Sequence, residues 1–502
     1  MKTKQLIYQY KPINRSAQTM TTESRHPSFL QAILPLVILI VLLVFNVSYF
    51  DDPLGGSNQI ALSIAATVCG LMANVNRVPW RKIEEKILHT IHSAMPAILI
   101  LLLIGALGGT WMISGVIPAM IYYGLDIMHP SYFLVASVLL CALVSLATGS
   151  SWSTIATVGV AIIGVGNAFG LNQGLVAGAV ISGAYFGDKM SPLSDTTNLA
   201  PAIAGTDLFT HIRYMVYTTL PTLLLTLILF GGIGIFHTQT DGTTDTQFLK
   251  ESIGQTFRIS PALLLVPVLL ILIIIKKVPP IPAMIAGVTL GAVFALLFQN
   301  DLLNQMITKD LFNNKYQLLL QAAGGKMELT TGVKQVDELL STGGMEGMLD
   351  TVWLIIAALT FGGVMEASGS LKRVGEAFMT FIYNNTSLVA TTLLTCIFFN
   401  ITACDQYLSI VVPGKMMQKM YRQRGLKPEV LSRALEDSAT VTSVLISWNT
   451  CGATQSRVLG VATIDYLPYC FFNLISPLMN LFITAIHYKI RRIDIPTPPS
   501  QK

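Results

Sequence analysis

Charged residues are scarce in this sequence. Asp, Glu, Lys and Arg make up 12% of its 502 residues, whereas a soluble domain carries about 25%. Apolar residues reach 52%, and apolar windows of about 20 residues, long enough to cross a bilayer, recur along the chain. This balance excludes an ordinary soluble protein and predicts an all-α polytopic membrane protein. The short alternating segments typical of a transmembrane barrel are absent.

Other absences narrow the functional classes. The six cysteines lie in apolar surroundings with no pair in a loop, which excludes a disulfide framework. The seven histidines form no metal-spaced cluster. The net charge of +5 belongs to short loops beside apolar segments, so no nucleic-acid partner is expected. Residues 1–27 lack an apolar h-region, which predicts a cytoplasmic tail instead of a cleaved signal peptide.

Hydropathy divides the chain into fourteen apolar segments, and we expect about 12 to 14 of them to be transmembrane. They lie near 30–50, 58–75, 95–122, 131–148, 152–169, 174–187, 214–236, 260–275, 281–298, 351–369, 386–402, 406–420, 429–455 and 464–487. The third segment contains GALGGTWMISG, and this glycine-rich stretch predicts two half-helices.

Loop charge predicts the orientation. Basic residues concentrate in both tails and in the loops at 77–93, 276–277, 371–373 and 415–427. All of these lie on one side when both termini are cytoplasmic, as the positive-inside rule requires. The predicted order is a cytoplasmic tail (1–27), a first membrane repeat (28–236), an external linker (237–259), a second membrane repeat (260–487) with a polar insertion (299–350), and a cytoplasmic tail (488–502).

The two membrane repeats are predicted from matches at nearly one spacing. GGTWMISG (108–115) matches GGVMEASG (362–369) at a shift of 254 residues, and Gly205 matches Gly460 at a shift of 255. Seven segments in each half is an odd number, so the halves are expected to lie in opposite orientations. Inverted-topology repeats of this kind are typical of secondary transporters.

Polar stretches interrupt the apolar segments in both halves. In the first half these are SLATGSSWSTIATVG (145–159) and YFGDKMSPLSDTTNLAPAIAGTD (185–207), and prolines in the second stretch forbid a regular helix. Their counterparts are NITACDQYLSIVVPG (400–414) and LEDSATVTSVLISWNTCGA (435–453). Broken helices at the bilayer midplane form the binding sites of inverted-repeat transporters, so we predict a site where these four stretches meet.

The candidate ion- or substrate-binding residues all offer oxygen atoms in this apolar context. They are Thr148, Ser150, Ser151, Asp188, Ser191, Ser194, Asp195, Thr196, Asn198, Asp405, Glu436, Asp437 and Asn449. Carboxylates are costly inside a membrane and are therefore functional candidates. Because Na⁺ prefers oxygen ligands, Asp188, Asp195 and Asp405 are predicted to hold transported Na⁺. A proton competes with the cation for a buried carboxylate.

Structural roles stay open for several acidic residues. A helix-end ion pair with Lys189 is the alternative for Asp188, and a helix cap is the alternative for Asp195. For Glu436 and Asp437 the alternative is an interfacial position. Local pairing or an interfacial position is the alternative for the remaining acidic residues near apolar segments, which are Glu366, Asp207 and Asp465.

Two of these stretches carry a family resemblance. TGSSWSTIATVG (148–159) and GAYFGDKMSPLSDTTNLAPAIAGTDLFTHIRYM (183–215), supported by GALGGTWMISG (105–115), resemble the NhaC-type sodium/proton antiporter family of the ion transporter superfamily. The resemblance implies Na⁺/H⁺ exchange across a bacterial inner membrane. The motif positions that it implies for the ion are Asp188, Ser191, Asp195, Thr196 and Asn198. Related members exchange malate and protons for lactate and sodium, or move amino acids.

The function expected is secondary active exchange of Na⁺ for H⁺ by alternating access. The alternative is a Na⁺- or H⁺-coupled exchanger of organic acids or amino acids, with Lys189 and helix N-termini as the groups that bind an anion. No enzyme activity and no cofactor are expected, since FGD and GSS are only fragments of protease motifs. The expected partners are Na⁺, H⁺ and the lipid bilayer, while Li⁺, small organic anions and a homodimer stay open.

Overall fold

The computed structural model describes residues 25–50, 55–237, 246–308, 312–327 and 341–493. Across these ranges the chain is helical, and its β structure consists of two isolated bridges, Met327 with Thr342 and Leu426 with Arg492. The predicted tails, the predicted external linker and the polar insertion each lie partly outside the described residues.

The helices follow one another closely along the chain. The first eleven are α1 (Phe29–Tyr49), α2 (Ser57–Val75), α3 (Trp80–Ile113), α4 (Val116–Ile127), α5 (Pro130–Thr148), α6 (Ser151–Thr154), α7 (Val160–Ala168), α8 (Gln173–Met190), α9 (Asp195–Ala204), α10 (Leu208–His237) and α11 (Thr246–Thr256). A π-helical turn, Ile155–Gly159, joins α6 to α7.

The second part of the chain continues in the same manner. Its helices are α12 (Leu265–Ile275), α13 (Pro280–Phe298), α14 (Asn300–Thr308), α15 (Lys315–Gly324), α16 (Leu349–Ala367), α17 (Ser370–Met379), α18 (Asn385–Thr402), α19 (Gln406–Gln423), α20 (Pro428–Leu435), α21 (Thr450–Leu459), α22 (Thr463–Tyr466) and α23 (Phe471–Ala485). A second π-helical turn, Glu436–Thr440, follows α20. Short 3-10 turns lie at Pro261–Leu264, Glu346–Met348, Ser443–Leu445 and Leu467–Tyr469.

The protein is a helical, multi-pass membrane protein. Among the described residues, nine helices are long and apolar enough to cross a membrane, and two bent helix pairs raise the number to eleven. The predicted segments at 174–187, 406–420 and 429–455 form α8, α19 and the region that begins with α20, and none of these is among the nine. Their polar side chains and the shortness of α20 account for the difference from the predicted 12 to 14.

The glycine-rich third segment is broken, but later than its sequence indicates. Helix α3 runs through Gly105, Gly108 and Gly109 without interruption and ends at Ile113. The chain then turns at Gly115, whose φ of 78° lies in the left-handed region, and α4 begins. Two helices therefore form from this segment, as predicted.

Helix α8 packs along α5, and this contact positions the first-half site. Gly183 and Gly187 face α5 so closely that a Cβ atom would collide with the Val138 and Ala142 carbonyls. The absence of these side chains lets the two helices approach each other. Asp188 follows immediately and so lies beside the point where α5 ends and α6 begins.

Backbone features recur at a spacing of 255 residues. Gly149 and Cys404 both have a positive φ, of 70° and 58°, and the next residue caps a helix in each case. Helices α9 and α21 also correspond, since each ends at a left-handed glycine, Gly205 or Gly460. This recurrence supports a duplicated architecture. The opposite orientation of the halves stays a prediction.

Candidate functional site

The first helix break separates α5 from α6. Helix α5 ends at Thr148, Gly149 adopts the left-handed conformation, and Ser150 caps α6 by accepting a hydrogen bond from the Ser153 backbone N–H at 3.2 Å. The break thus places hydroxyl groups and a helix N-terminus inside a helical protein, and it confirms the interruption predicted for 145–159.

The second break separates α8 from α9. Helix α8 ends at Met190, Pro192 lies in the connection, and the Ser194 hydroxyl caps α9. Because Ser194 is the cap, Asp195 occupies the first helical position and does not cap the helix itself. The interruption predicted for 185–207 is therefore confirmed.

Asp188 connects the two breaks. Its Oδ2 atom accepts hydrogen bonds from the Ser151 hydroxyl at 2.6 Å and from the Ser151 backbone N–H at 3.2 Å. Its backbone carbonyl accepts a hydrogen bond from the Thr197 hydroxyl at 3.1 Å. The carboxylate is held at the N-terminus of α6, where hydrogen-bond donors and the helix dipole favour negative charge.

The second half contributes two further helix N-termini. Asp405 caps α19 by accepting a hydrogen bond from the Leu408 backbone N–H at 2.9 Å, and its side chain is buried. Asn449 caps α21 by accepting a hydrogen bond from the Cys451 backbone N–H at 3.0 Å. Between the second π-helical turn and α21 the chain passes through an extended residue, Ile446, so this stretch is broken as well.

These four helix starts line one cavity of about 870 Å³, which we call the carboxylate cavity. The predicted site residues that line it are Thr148, Ser150, Asp188, Ser194, Asp195, Thr196 and Asp405. Three carboxylates therefore share one cavity with the N-terminal ends of α6, α9, α19 and α21. Among the described residues, no three His, Cys, Asp or Glu side chains lie close enough to hold one metal ion together.

The other predicted residues do not line the carboxylate cavity. Ser151 lies behind Asp188, and Asn449 lies behind the first turn of α21. Ser191 donates to the Leu146 carbonyl at 2.8 Å, and Asn198 donates to the Pro192 carbonyl at 3.0 Å. These four residues hold the broken segments in shape.

Lys189 pairs with Asp437 and not with Asp188, so the helix-end ion pair considered for Asp188 is wrong. Both side chains of the Lys189–Asp437 pair are fully buried, and the pair joins α8 to the second half. Asp437 also accepts hydrogen bonds from Asn480 at 2.6 Å, from Ser476 at 3.2 Å and from Thr218 at 3.4 Å. Through these contacts Asp437 joins α8 and α10 of the first half to α23 of the second half.

Glu436 is fully buried, which excludes the interfacial position considered for it. Within the described part of the chain, neither of its carboxylate oxygens makes a hydrogen bond of normal geometry. The hydroxyl groups of Thr440 and Thr196 lie near it, and its charged neighbours include Lys189 and Asp188. A buried carboxyl group without hydrogen bonds is costly unless it carries a proton or meets a ligand, so Glu436 belongs to the functional candidates.

The remaining acidic candidates lie outside this region. Glu366 forms an ion pair with Lys86 of α3, with an N–O distance of 2.6 Å. The alternative considered for Glu366, pairing with a neighbouring residue, is therefore the one that the structure shows. Asp207 caps α10 by accepting a hydrogen bond from the Thr210 backbone N–H at 2.9 Å. Asp465 is exposed and lines a separate cavity of about 490 Å³ beside Gly460.

The sequence did not single out several residues of the carboxylate cavity, among them Ser153, Gln406, Tyr407, Thr450 and Cys451. Tyr407 donates a hydrogen bond to Asp195 Oδ2 at 2.8 Å and so connects α19 to α9. Each of the four missed residues of the second half follows a helix cap by one or two positions. Proximity to a predicted cap was therefore the signal that could have found them.

A second cavity, of about 630 Å³, lies at the other end of the same helices. Glycines provide much of its lining, and we call it the glycine cavity. It includes Ala156 and Arg457, whereas Ser153 and Cys451 line the carboxylate cavity. Along the helix that begins with α6, Ser153 and Ala156 are three positions apart, a rise of about 4.5 Å, so less than one helical turn separates the linings of the two cavities.

Comparison with known proteins adds an independent observation. The model of the Na⁺/H⁺ antiporter family matches residues 183–486. The NhaC Na⁺/H⁺ antiporter of Alkalihalophilus pseudofirmus is 36% identical over 424 residues, which cover 84% of this chain and 89% of that protein. The chain belongs to the Na⁺/H⁺ antiporter family. The resemblance to NhaC-type proteins is thereby confirmed.

Other similar proteins are named as antiporters of organic substrates. The malate-2H⁺/Na⁺-lactate antiporter of Bacillus subtilis is 35% identical, covering 90% of this chain and 93% of that protein. The arginine/ornithine antiporter ArcD of Halobacterium salinarum is 32% identical, covering 97% and 98%. Among solved structures, Neisseria gonorrhoeae MtrF is similar over 90% of this chain and 94% of the MtrF chain. The TM-score of this match is 0.40 and the sequence identity is 13%.

Proposed function

We propose that this protein is a secondary active transporter that exchanges Na⁺ for H⁺ across a bacterial inner membrane by alternating access. One observation carries the proposal. The carboxylate cavity and the glycine cavity approach each other to within one helical turn, between Ser153 and Ala156. A small rearrangement of this turn would expose the same carboxylates to the other cavity.

The predicted topology places the two cavities on opposite sides of the membrane. Lys277, which lines the carboxylate cavity, belongs to a loop predicted to be cytoplasmic. Thr342 and Gly344, which line the glycine cavity, belong to the insertion predicted to be external. The arrangement corresponds to a cytoplasm-facing state, in which the ion site is open to the cell interior.

Asp188 is the carboxylate best placed to bind the ion. It faces the carboxylate cavity, it is held by Ser151, and the hydroxyl groups of Ser150 and Thr196 line the same space. Carboxylate and hydroxyl oxygens suit Na⁺. Because the cation requires the deprotonated carboxylate, Na⁺ and H⁺ compete for Asp188, and the buried Glu436 offers a second carboxyl group for the proton.

The experiment measures collapse of a pre-formed pH gradient by Na⁺ in everted membrane vesicles. The Asp188→Asn variant removes the charge but keeps a similar volume, and we expect it to lose Na⁺-dependent collapse at equal protein level. The matched control is Asp207→Asn, because Asp207 only caps α10 and Asn is an equally good cap. Activity of Asp188→Asn equal to that of the control contradicts the proposal.

The wild-type pH profile gives a second measurement. In the limit of full competition, each unit by which the pH falls below the pKa of the competing carboxyl raises the apparent KM for Na⁺ about tenfold. Since the proton only occupies the site and does not slow the loaded carrier, saturating Na⁺ should restore the rate. A KM that is independent of pH, with a rate that falls at saturating Na⁺, argues against competition at a shared site.

Exchange of organic anions is the second candidate, and the cavity itself favours it. A volume of about 870 Å³ is far larger than Na⁺ requires and is typical of sites for small molecules. Four helix N-termini face this space, and their dipoles favour negative charge. The relationship to a malate-2H⁺/Na⁺-lactate antiporter is consistent with this chemistry.

Proteoliposomes separate the two candidates. Uptake of labelled ²²Na⁺ driven by a pH gradient, without any organic acid present, supports Na⁺/H⁺ exchange. Na⁺ uptake that requires malate or lactate on the opposite side supports the organic-acid exchanger. Liposomes without protein serve as the inactive control in both arms.

A further inference from the structure

Among the residues that the structure describes, Arg433 is a buried cation without a carboxylate partner. Its side chain is fully buried, and its Nε and Nη1 atoms have no hydrogen-bond acceptor among the described residues. Only Nη2 is bonded, through long contacts to Asn480 Oδ1 at 3.4 Å and Thr484 Oγ1 at 3.5 Å. Both of those partners are neutral. Burying a guanidinium group in this manner is unfavourable unless something else supplies negative charge.

A second guanidinium group packs against the same aromatic ring as Arg433. Arg433 and Arg491 both contact the ring of Tyr214, with distances of 4.3 and 5.1 Å from each guanidinium carbon to the ring centre. Arg491 is paired with Glu429 at 3.1 Å, so that carboxylate is already used. The cluster of Arg433, Arg491, Tyr214 and Glu429 therefore holds two positive charges and one negative charge.

The cluster is fixed in place by the chain around it. The Lys427 backbone N–H donates to the Arg491 carbonyl at 3.1 Å, and the Ile493 backbone N–H donates to the Gly425 carbonyl at 2.8 Å. The chain after α23 thus lies against the turn before α20. Arg491 is half-buried at the edge of this arrangement, so it connects Arg433 to solvent.

The nearby carboxylates do not provide the missing charge. Asp437 is occupied by Lys189 and reaches Arg433 only through the Asn480 amide. Glu436 lies one helical turn from Arg433, but in the described structure no ion pair joins the two, and its electrostatic neighbours include Lys189 and Asp188. None of the three cavities described above includes Arg433 or Tyr214 in its lining, so the missing group does not lie in any of them. Because the Arg433 side chain is fully buried among packed residues, only a small group fits beside it.

From this we infer that Arg433 and Arg491, with the Tyr214 ring between α10 and α20, bind a monatomic anion of the size of chloride. The anion accepts hydrogen bonds from Arg433 Nε and Nη1, and Arg491 closes the site toward the cytoplasm. The nearby His211, whose Nδ1 atom is bonded to Ser432 at 2.8 Å, has a free Nε2 atom in the described structure. The site is distinct from the carboxylate cavity and does not depend on which cation the protein carries.

The test compares thermal unfolding of the purified protein in sodium chloride and in sodium gluconate, at constant Na⁺ concentration. Constant Na⁺ keeps the proposed cation site equally occupied. Binding of gluconate in the carboxylate cavity would affect wild-type and Arg491→Gln protein equally, so the difference between them reports the anion site whichever transport function holds. We expect chloride to raise the unfolding temperature in a saturable manner, since a ligand that binds only the folded state stabilises it. The Arg491→Gln and Arg433→Gln variants should lose this chloride-dependent rise.

The matched control is Arg492→Gln, which removes the same charge from the next residue. Arg492 is exposed and has no part in the cluster, so this variant should keep the full chloride effect. Should Arg433→Gln fail to fold, a bromide-soaked crystal of the wild-type protein gives the answer through its anomalous signal. A bromide peak beside Arg433 Nε supports the site. No chloride effect in the wild-type protein, an equal effect in Arg491→Gln, or no bromide peak overturns the inference.

Discussion

The buried ion pair of Lys189 and Asp437 allows a quantitative prediction about the free energy of unfolding. Removing one partner of a buried ion pair costs about 3–5 kcal/mol, because the other charge stays buried without compensation. The two partners are not equivalent here. Without the Asp437 charge, Lys189 keeps only the Ser476 hydroxyl at 2.9 Å and the Phe472 ring at 5.5 Å. Without Lys189, Asp437 keeps three hydrogen-bond donors.

We therefore expect Asp437→Asn to lower the free energy of unfolding by an amount near the upper end of that range, and Lys189→Met by an amount near its lower end. The double variant buries no charge at this position and should cost less than the sum of the single variants, by about 2–3 kcal/mol. The free energy of unfolding can be measured by adding SDS to the protein in mixed micelles and following the fluorescence of its five tryptophans.

The pair of Lys86 and Glu366 is the matched control. Its N–O distance is 2.6 Å, but its side chains are 39% and 29% exposed, so solvent screens the interaction. The same cycle with Lys86→Met and Glu366→Gln should give a coupling of about 1 kcal/mol or less. Additive effects of Lys189→Met and Asp437→Asn, or a coupling no larger than in the control pair, would refute the reasoning.

Two further predictions concern the helix breaks. Tyr407→Phe removes the hydrogen bond to Asp195, and since this bond is exposed, stability should change by less than about 1 kcal/mol. The freed carboxylate should lower the apparent KM for Na⁺ about twofold to fivefold in vesicles, and an unchanged KM contradicts a role for Asp195. Left-handed backbone strain alone costs an alanine about 1–2 kcal/mol. Gly149→Ala should lower the free energy of unfolding by more than this, because its Cβ atom would also lie only 2.6 Å from the Leu193 side chain. Gly425→Ala, with a similar φ of 67° and no neighbour within 4 Å, is the control that carries the strain alone, and equal losses of unfolding free energy would contradict this account.

The sequence predicts the positions of the helix breaks because local chemistry determines them. Pro192 excludes a continuous helix, and Gly149 permits the left-handed residue that ends α5. Spacing alone places Asp405 opposite Ser150 or Ser151, and the structure selects Ser150, because Ser150 and Asp405 both cap helices that start beside the same cavity. These predictions require knowledge of neighbours along the chain only.

Predictions that depend on packing were less complete. The pairing of Lys189 with Asp437 joins residues that are far apart in the sequence, and no local pattern indicates it. Hydropathy also counted α19 as a membrane segment, although Lys415 and Lys419 make it too polar to be among the nine apolar spans. Whether a polar helix is embedded in the protein depends on which other helices surround it.

The correspondence at 255 residues also explains how one cavity holds several carboxylates. Four acidic residues of the region have a hydroxyl residue at the equivalent position of the other half, whereas Glu436 corresponds to Ile181. The pairs are Asp188 with Ser443, Asp195 with Thr450, Asp405 with Ser150, and Asp437 with Ser182. A fully symmetric protein would place an acidic residue at both members of every pair, and repulsion between like charges would keep several of them protonated.

Hydroxyl groups avoid this repulsion while they still offer oxygen atoms to a cation. On the proposed function, the alternation leaves one asymmetric site between the two halves, with one carboxylate at each of the four paired positions. Because each half provides acidic groups where the other provides neutral ones, neither half contains a complete site by itself. Binding of the ion then depends on how the halves are placed against each other, and a transporter that works by alternating access requires this dependence.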